Sequence, residues 1–183
     1  MSSYVLYLAK FRFASSQRAH FAVFIPNHGD GDEDSNDVSV RPVGTLINVV
    51  GTAMTGYVLE TKRNHDCRAS ADFETCVRLG TVQSKPTNAR PKGTASHEGE
   101  LLERLEEVAG RLPPPRKSEN FLAPVNDLRQ ITNRRCQEWT IDYLRELARL
   151  GYIDRNAVQL AQAERDAPAH GIGLRPTATG RGD

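Results

Sequence analysis

His20-Phe21-Ala22-Val23-Phe24-Ile25-Pro26 is the stretch on which the reading of this chain turns. It is short, apolar and rich in aromatic and β-branched residues, which suits a strand. Working outward, Ser3 to Ala9 has the same character. Thr45 to Val50 and Gly56 to Lys62 read as a third and fourth strand around a turn at Gly51 to Thr55, and Thr75 to Val82 as a fifth. The period then changes. Glu98 to Leu112 places Leu101, Leu102, Leu105, Val108 and Leu112 on one helical face, and Pro113-Pro114-Pro115 stops it. Asn126 caps a short helix through Ile131. A longer helix runs past Cys136 to about Leu150, where Gly151 supplies a left-handed cap, and Asp154 caps a last helix through Glu164. Strands in one half and helices in the other predict an α+β domain whose antiparallel sheet packs against the C-terminal helices. Residues 1–165 read as this single domain, and 166–183, rich in Pro, Gly, Thr and Arg, as a disordered tail.

Composition narrows the function classes. Lys and Arg number 24 against 23 Asp and Glu, a net charge of +1, which announces neither a nucleic-acid nor a membrane-surface partner. No stretch approaches the ~18 apolar residues of a membrane span. The N-terminal apolar run is broken by Lys10 and Arg12, and three cysteines at unrelated spacings make no disulfide framework, so a reducing, cytoplasmic setting is expected. No P-loop, dinucleotide glycine turn or Gly-x-Ser-x-Gly elbow occurs, and no cofactor is expected. Asp30-x-Asp32-x-Asp34 superficially resembles a calcium loop. Ser35 and Arg41 stand where that loop needs Gly and Glu, so 27–42 reads as a solvated acidic loop. His65, Cys67 and Cys76 match no zinc spacing. Arg181-Gly182-Asp183 spells an adhesion tripeptide by chance.

Cys136 carries the chemical interest. Asn133 is a good N-cap, which places Cys136 at the third helical position with Arg134 and Arg135 beside it. A helix start and nearby cations lower a thiol's pKa from about 8.5 toward neutrality. The bland alternative is a core cysteine, because Cys136, Trp139, Thr140, Tyr143, Leu144 and Leu147 share one stripe. His20 opens its strand, and a histidine at a strand end facing a helix-initial cysteine is the arrangement of a Cys–His dyad. Asn48 is the one strongly polar residue in Leu46-Ile47-Asn48-Val49-Val50. It suits the group that orients the imidazole, or else it is an inward amide satisfied by backbone.

His at the head of an apolar strand, a polar residue in the next strand and a helix-initial Cys much later resembles the circularly permuted branch of the papain-like thiol enzymes. That branch includes the lecithin:retinol acyltransferase-like and NlpC-type proteins. The matching segments are Arg18 to Ile25, Leu46 to Val50 and Cys136-Gln137-Glu138-Trp139, with Asn48 where the lipid acyltransferases have a histidine. The resemblance implies a permuted papain-like fold, Cys136 as nucleophile, His20 as general base and acid, and Asn48 as orienting group. The activity so implied is acyl transfer through a thioester (amidase or peptidase, thioesterase, or acyltransferase) on a small-molecule or peptide substrate. The competing reading is a non-catalytic binding or regulatory protein on the same fold. Arg18 shares His20's face of an extended strand, so Arg18 and Arg135 are expected to bind a substrate carboxylate or phosphate, unless they pair with Glu138 or the acidic loop.

Overall fold

The computed structural model describes residues 3–27, 43–83, 97–119, 121–122, 125 and 133–171. The short helix expected at 126–131, the acidic loop beyond Asn27, the linker 84–93 and the adhesion tripeptide lie outside those residues. The chain is α+β. Five strands, β1 (Ser3–Phe11), β2 (His20–Pro26), β3 (Val43–Thr52), β4 (Gly56–Asp66) and β5 (Phe73–Gln83), precede helices α1 (His97–Gly110), α2 (Cys136–Arg149) and α3 (Arg155–Ala163). The sheet order is β4-β3-β2-β1-β5, with every neighbouring pair antiparallel.

Strand alternation sorts the side chains onto two faces. Leu6, Leu8, Phe21, Val23, Ile25, Ile47 and Val49 meet the buried stripes of the helices: Leu101, Leu105 and Val108 of α1, Trp139, Tyr143, Leu144 and Leu147 of α2, and Ala157 and Ala161 of α3. The opposite face gathers Val5, Tyr7, Ala9, Phe11, Ala22, Phe24 and Leu46. The polar tips on α2 are satisfied across to α1. Trp139 Nε1 donates to the Leu112 carbonyl at 3.4 Å and the Tyr143 hydroxyl to the Leu105 carbonyl at 2.9 Å, while their rings stack at 5.4 Å.

The strands run longer than the apolar runs suggest. Lys10 and Phe11 extend β1 by pairing with Phe21 and His20, and the polar stretch Arg63 to Asp66 extends edge strand β4 against β3. Cross-strand pairing, which local hydropathy does not encode, supplies those ends. At the β3–β4 hairpin, Gly51 has φ +141°, and a Cβ there would lie 2.2 Å from the Gly56 carbonyl oxygen, so only glycine allows the turn that presents Tyr57.

One departure from regular pairing creates the candidate site. β2 pairs with β3 only from Val23↔Ile47 to Pro26↔Gly44. Before Val23 the first turn of α2 stands in for β3. Gln137 Nε2 donates to the Ala19 carbonyl at 2.8 Å, the Thr140 hydroxyl to the Phe21 carbonyl at 3.4 Å, and the Phe21 N–H to the Cys136 sulfur. Three side chains of one helical turn thus satisfy backbone groups that would otherwise be buried without partners.

Candidate active site

His20 and Asn48 project from the face opposite the helices, as alternation with Ala22, Phe24 and Leu46 requires. His20 Nε2 lies 2.9 Å from Asn48 Oδ1. Asn48 is buried and donates through Nδ2 to the carbonyl and carboxylate oxygens of Glu60, each at 3.4 Å. These bonds orient the amide so that its oxygen meets the imidazole. Nε2 then carries the proton, and Nδ1 is the ring nitrogen left to act as a base.

Cys136 enters through the parting of β2 and β3, with its sulfur 4.0 Å from the Ala19 carbonyl oxygen. The thiol and the His20 imidazole interact directly, and their proton affinities move in opposite directions. Burial alone would push the thiol up, but the His20 hydrogen bond, the charge of the imidazolium and the Phe21 N–H outweigh it and bring the Cys136 pKa down. Burial likewise disfavours the imidazolium, yet the bond to Cys136, the attraction of the thiolate and the bond to Asn48 raise the His20 pKa. Both shifts favour a thiolate–imidazolium pair. His20, Asn48 and Cys136 are therefore brought together.

The start of α2 differs from the sequence expectation. Arg135, with φ −132° and ψ −169°, occupies the N-cap position, so Cys136 is the first helical residue and Asn133 lies outside the helix. Glu138 sets this boundary by accepting the Arg135 backbone N–H at 3.0 Å. The first intrahelical bond runs from Trp139 N–H to the Arg135 carbonyl at 3.1 Å, which leaves the N–H groups of Cys136, Gln137 and Glu138 without intrahelical acceptors. Cys136 is half-buried at this end rather than sealed in the core with the rest of its stripe.

Of the two expectations for Arg18, pairing with Glu138 is the one the structure shows. Its side chain is 5% exposed and donates to Glu138 Oε1 at 2.9 Å, Gln137 Oε1 at 2.7 Å and the Ala167 carbonyl at 2.9 Å. A guanidinium so engaged is a structural cation behind the site, because Glu138 offers a buried carboxylate that must be neutralised. Arg134 is likewise taken up by Asp142. Arg135 stays beside Cys136, with Nη2 donating to the Phe121 carbonyl at 2.8 Å.

Tyr57 was not anticipated from the sequence. Burial, with the charge of Cys136, pushes its hydroxyl pKa up, and Arg135 pulls the other way, so the phenol sits among the charges of the site. It also lines a groove of about 610 Å³ with Val50, Gly51, Val58, Pro115 and Arg116. The only sequence signal was an aromatic residue with a polar tip just after a glycine-bounded turn. Cys67 and Cys76 lie against one another at the opposite face, where the shared proton raises Cys67 and lowers Cys76. Among the described residues no three His, Cys, Asp or Glu side chains converge as metal ligands, and no helix is long and apolar enough to cross a membrane.

Fold and site together define an α+β protein that sets a helix-initial thiol against an imidazole–amide pair at a split in an antiparallel sheet. Residues 6–154 match the family of unknown function DUF6540, and the chain belongs to that family. No curated protein and no solved structure matches the chain.

Proposed function

We propose that this protein is a cysteine-dependent acyl-transfer enzyme of the permuted papain-like kind, with Cys136 as nucleophile, His20 as general base and acid, and Asn48 as the orienting group. The single observation that carries this reading is the convergence of the three side chains on one imidazole, with Asn48 Oδ1 2.9 Å from His20 Nε2 and the Cys136 thiol hydrogen-bonded to the same ring. A core cysteine would have no reason to acquire either partner.

The Cys136 thiolate attacks a substrate carbonyl carbon, forming a C–S bond and an oxyanion. The N–H groups at the start of α2, which have no intrahelical acceptor, are suited to receive that charge. Collapse breaks the bond to the leaving group, which takes the proton from the His20 imidazolium. His20 then removes a proton from water, an amine or an alcohol as it attacks the thioester, and the thiolate is released. Water makes the protein a hydrolase; an amine or alcohol makes it an acyltransferase. Tyr57, which feels the charge of Cys136 and lines the neighbouring groove, favours that groove as the approach for substrate.

Turnover of an ester panel and peptide-resolved alkylation by iodoacetamide test the reading. Cys136→Ala abolishes turnover with the circular dichroism spectrum intact. His20→Ala moves the alkylation profile of Cys136 to higher pH and leaves that of Cys76 in place. Full activity of Cys136→Ala removes the thioester mechanism, and an unchanged Cys136 profile in His20→Ala removes the dyad, which leaves a binding protein as the better description.

A further inference from the structure

Ala19 directly precedes His20, and Gln137 directly follows Cys136, so whatever fixes Ala19 against Gln137 fixes the two reacting groups. Asp166, just past α3, holds both. Its Oδ2 accepts the Ala19 N–H at 2.7 Å and Gln137 Nε2 at 2.8 Å, and its own N–H donates to Gln137 Oε1 at 3.2 Å. Gln137 Nε2 also reaches the Ala19 carbonyl at 2.8 Å, which closes the joint. Arg12 holds the other carboxylate oxygen at 3.0 Å. Arg18 spans the joint from Glu138 to the carbonyls of Asp166 and Ala167, and Arg165 neutralises Glu138 at 2.6 Å.

We propose that Asp166 is a positioning residue for the thiol–imidazole pair, acting through Ala19 and Gln137. The proposal rests on the reading of Cys136 and His20 as a reactive pair. Asp166 touches neither group and lies outside the residues that match the family. Its leverage comes from bonding to backbone and to an amide with no exposure to solvent, each one residue from a reacting atom, so a displacement passes on without slack. Reacting groups lose much of their advantage when misplaced by about 1 Å. Two further contacts seat the same segment on the approach to β2. The His170 ring lies 3.2 Å from the Gln17 carbonyl, and at Gly171, with φ +65°, a Cβ would stand 2.7 Å from the Arg18 backbone nitrogen.

The test is the rate of iodoacetamide alkylation of Cys136 against pH, resolved by peptide mass spectrometry on the full chain, with melting temperature measured alongside. Asp166→Ala slows Cys136 alkylation at neutral pH by about tenfold or more, with Cys76 unchanged. Gln137→Leu does the same from the other side of the joint and serves where Asp166→Ala fails to fold. Asp166→Asn, whose amide oxygen can accept from Ala19 and Gln137 but cannot pair with Arg12, restores the wild-type profile at a lower melting temperature. Lys10→Met cuts the ion pair to Glu164, 2.9 Å long, which pins the same segment without touching Ala19 or Gln137; it lowers the melting temperature and leaves the profile alone. A wild-type profile in Asp166→Ala or Gln137→Leu overturns the proposal, and so does a Lys10→Met profile shifted as far as theirs. A wild-type Cys136 whose profile ignores His20→Ala removes the reactive pair itself, and this inference with it.

Discussion

Replacing Asn48 with alanine isolates the amide's part in the site. Asn48 Oδ1 lies 2.9 Å from His20 Nε2, and the residue is 1% exposed, so no solvent stands ready to replace it. A hydrogen bond to a charged group is worth about 1.5–3 kcal/mol, and one between neutral groups about 0.5–1.5 kcal/mol. The bond therefore favours imidazolium over imidazole by about 1–1.5 kcal/mol. About 1.36 kcal/mol is a factor of ten in an equilibrium, and loss of this bond in Asn48→Ala should lower the His20 pKa. The equilibrium that moves the proton from Cys136 to His20 then weakens about tenfold. Stopped alkylation time courses between pH 5 and 9 read this directly, because the rate follows the thiolate. The Cys136 profile should shift upward, and its rate on the acid side of the profile should fall by about an order of magnitude. Stability should also drop by about 1–3 kcal/mol, since the Nε2–H and Glu60 lose a buried partner. A profile that overlays the wild type while stability falls would refute the reasoning, reducing Asn48 to a satisfied core amide.

Two further outcomes follow from the charged groups behind the site. Arg18→Gln should cost about 1.5–3 kcal/mol in urea denaturation, because the buried Glu138 carboxylate loses one of its two charged donors while Arg165 keeps it neutralised. It should leave discrimination between neutral and anionic esters unchanged; a selective loss of anionic substrates would restore the substrate-binding role. Asp166 is affected first by burial, which raises its pKa, but the Ala19 N–H, Gln137 and Arg12 together bring it down. A carboxyl depressed by folding contributes stability in full above its unfolded value of about 3.9 and loses it as pH falls through the lower folded value. The gap in melting temperature between wild type and Asp166→Asn should therefore close as pH falls from about 5 toward 3. A gap constant over that range would mean the charge of Asp166 does not matter to stability.

The sequence by itself determined the layers and the order of elements. The apolar runs around Phe21 to Ile25 and Leu46 to Val50 are strands, and the stripe from Trp139 to Leu147 is the buried face of α2, because period and burial are local properties of the chain. It also pointed to Cys136, His20 and Asn48, since a polar residue at the head of, or inside, an apolar strand demands a partner. It misjudged the start of α2, because Asn133 has the better capping side chain while the Glu138 bond to Arg135 decides the boundary. Asp166 was beyond its reach, and Arg18 was half legible. Arg18 read either as a cation for substrate or as a partner of Glu138, with nothing local to choose between them, and Asp166 read as the beginning of a loose tail. Their roles arise where residues 12, 18, 137, 138 and 166 meet, across separations of up to 154 positions. Only the tertiary structure brings those charges together, because each is shielded from solvent by the partners that neutralise it, and no property of the local sequence specifies which partners those are.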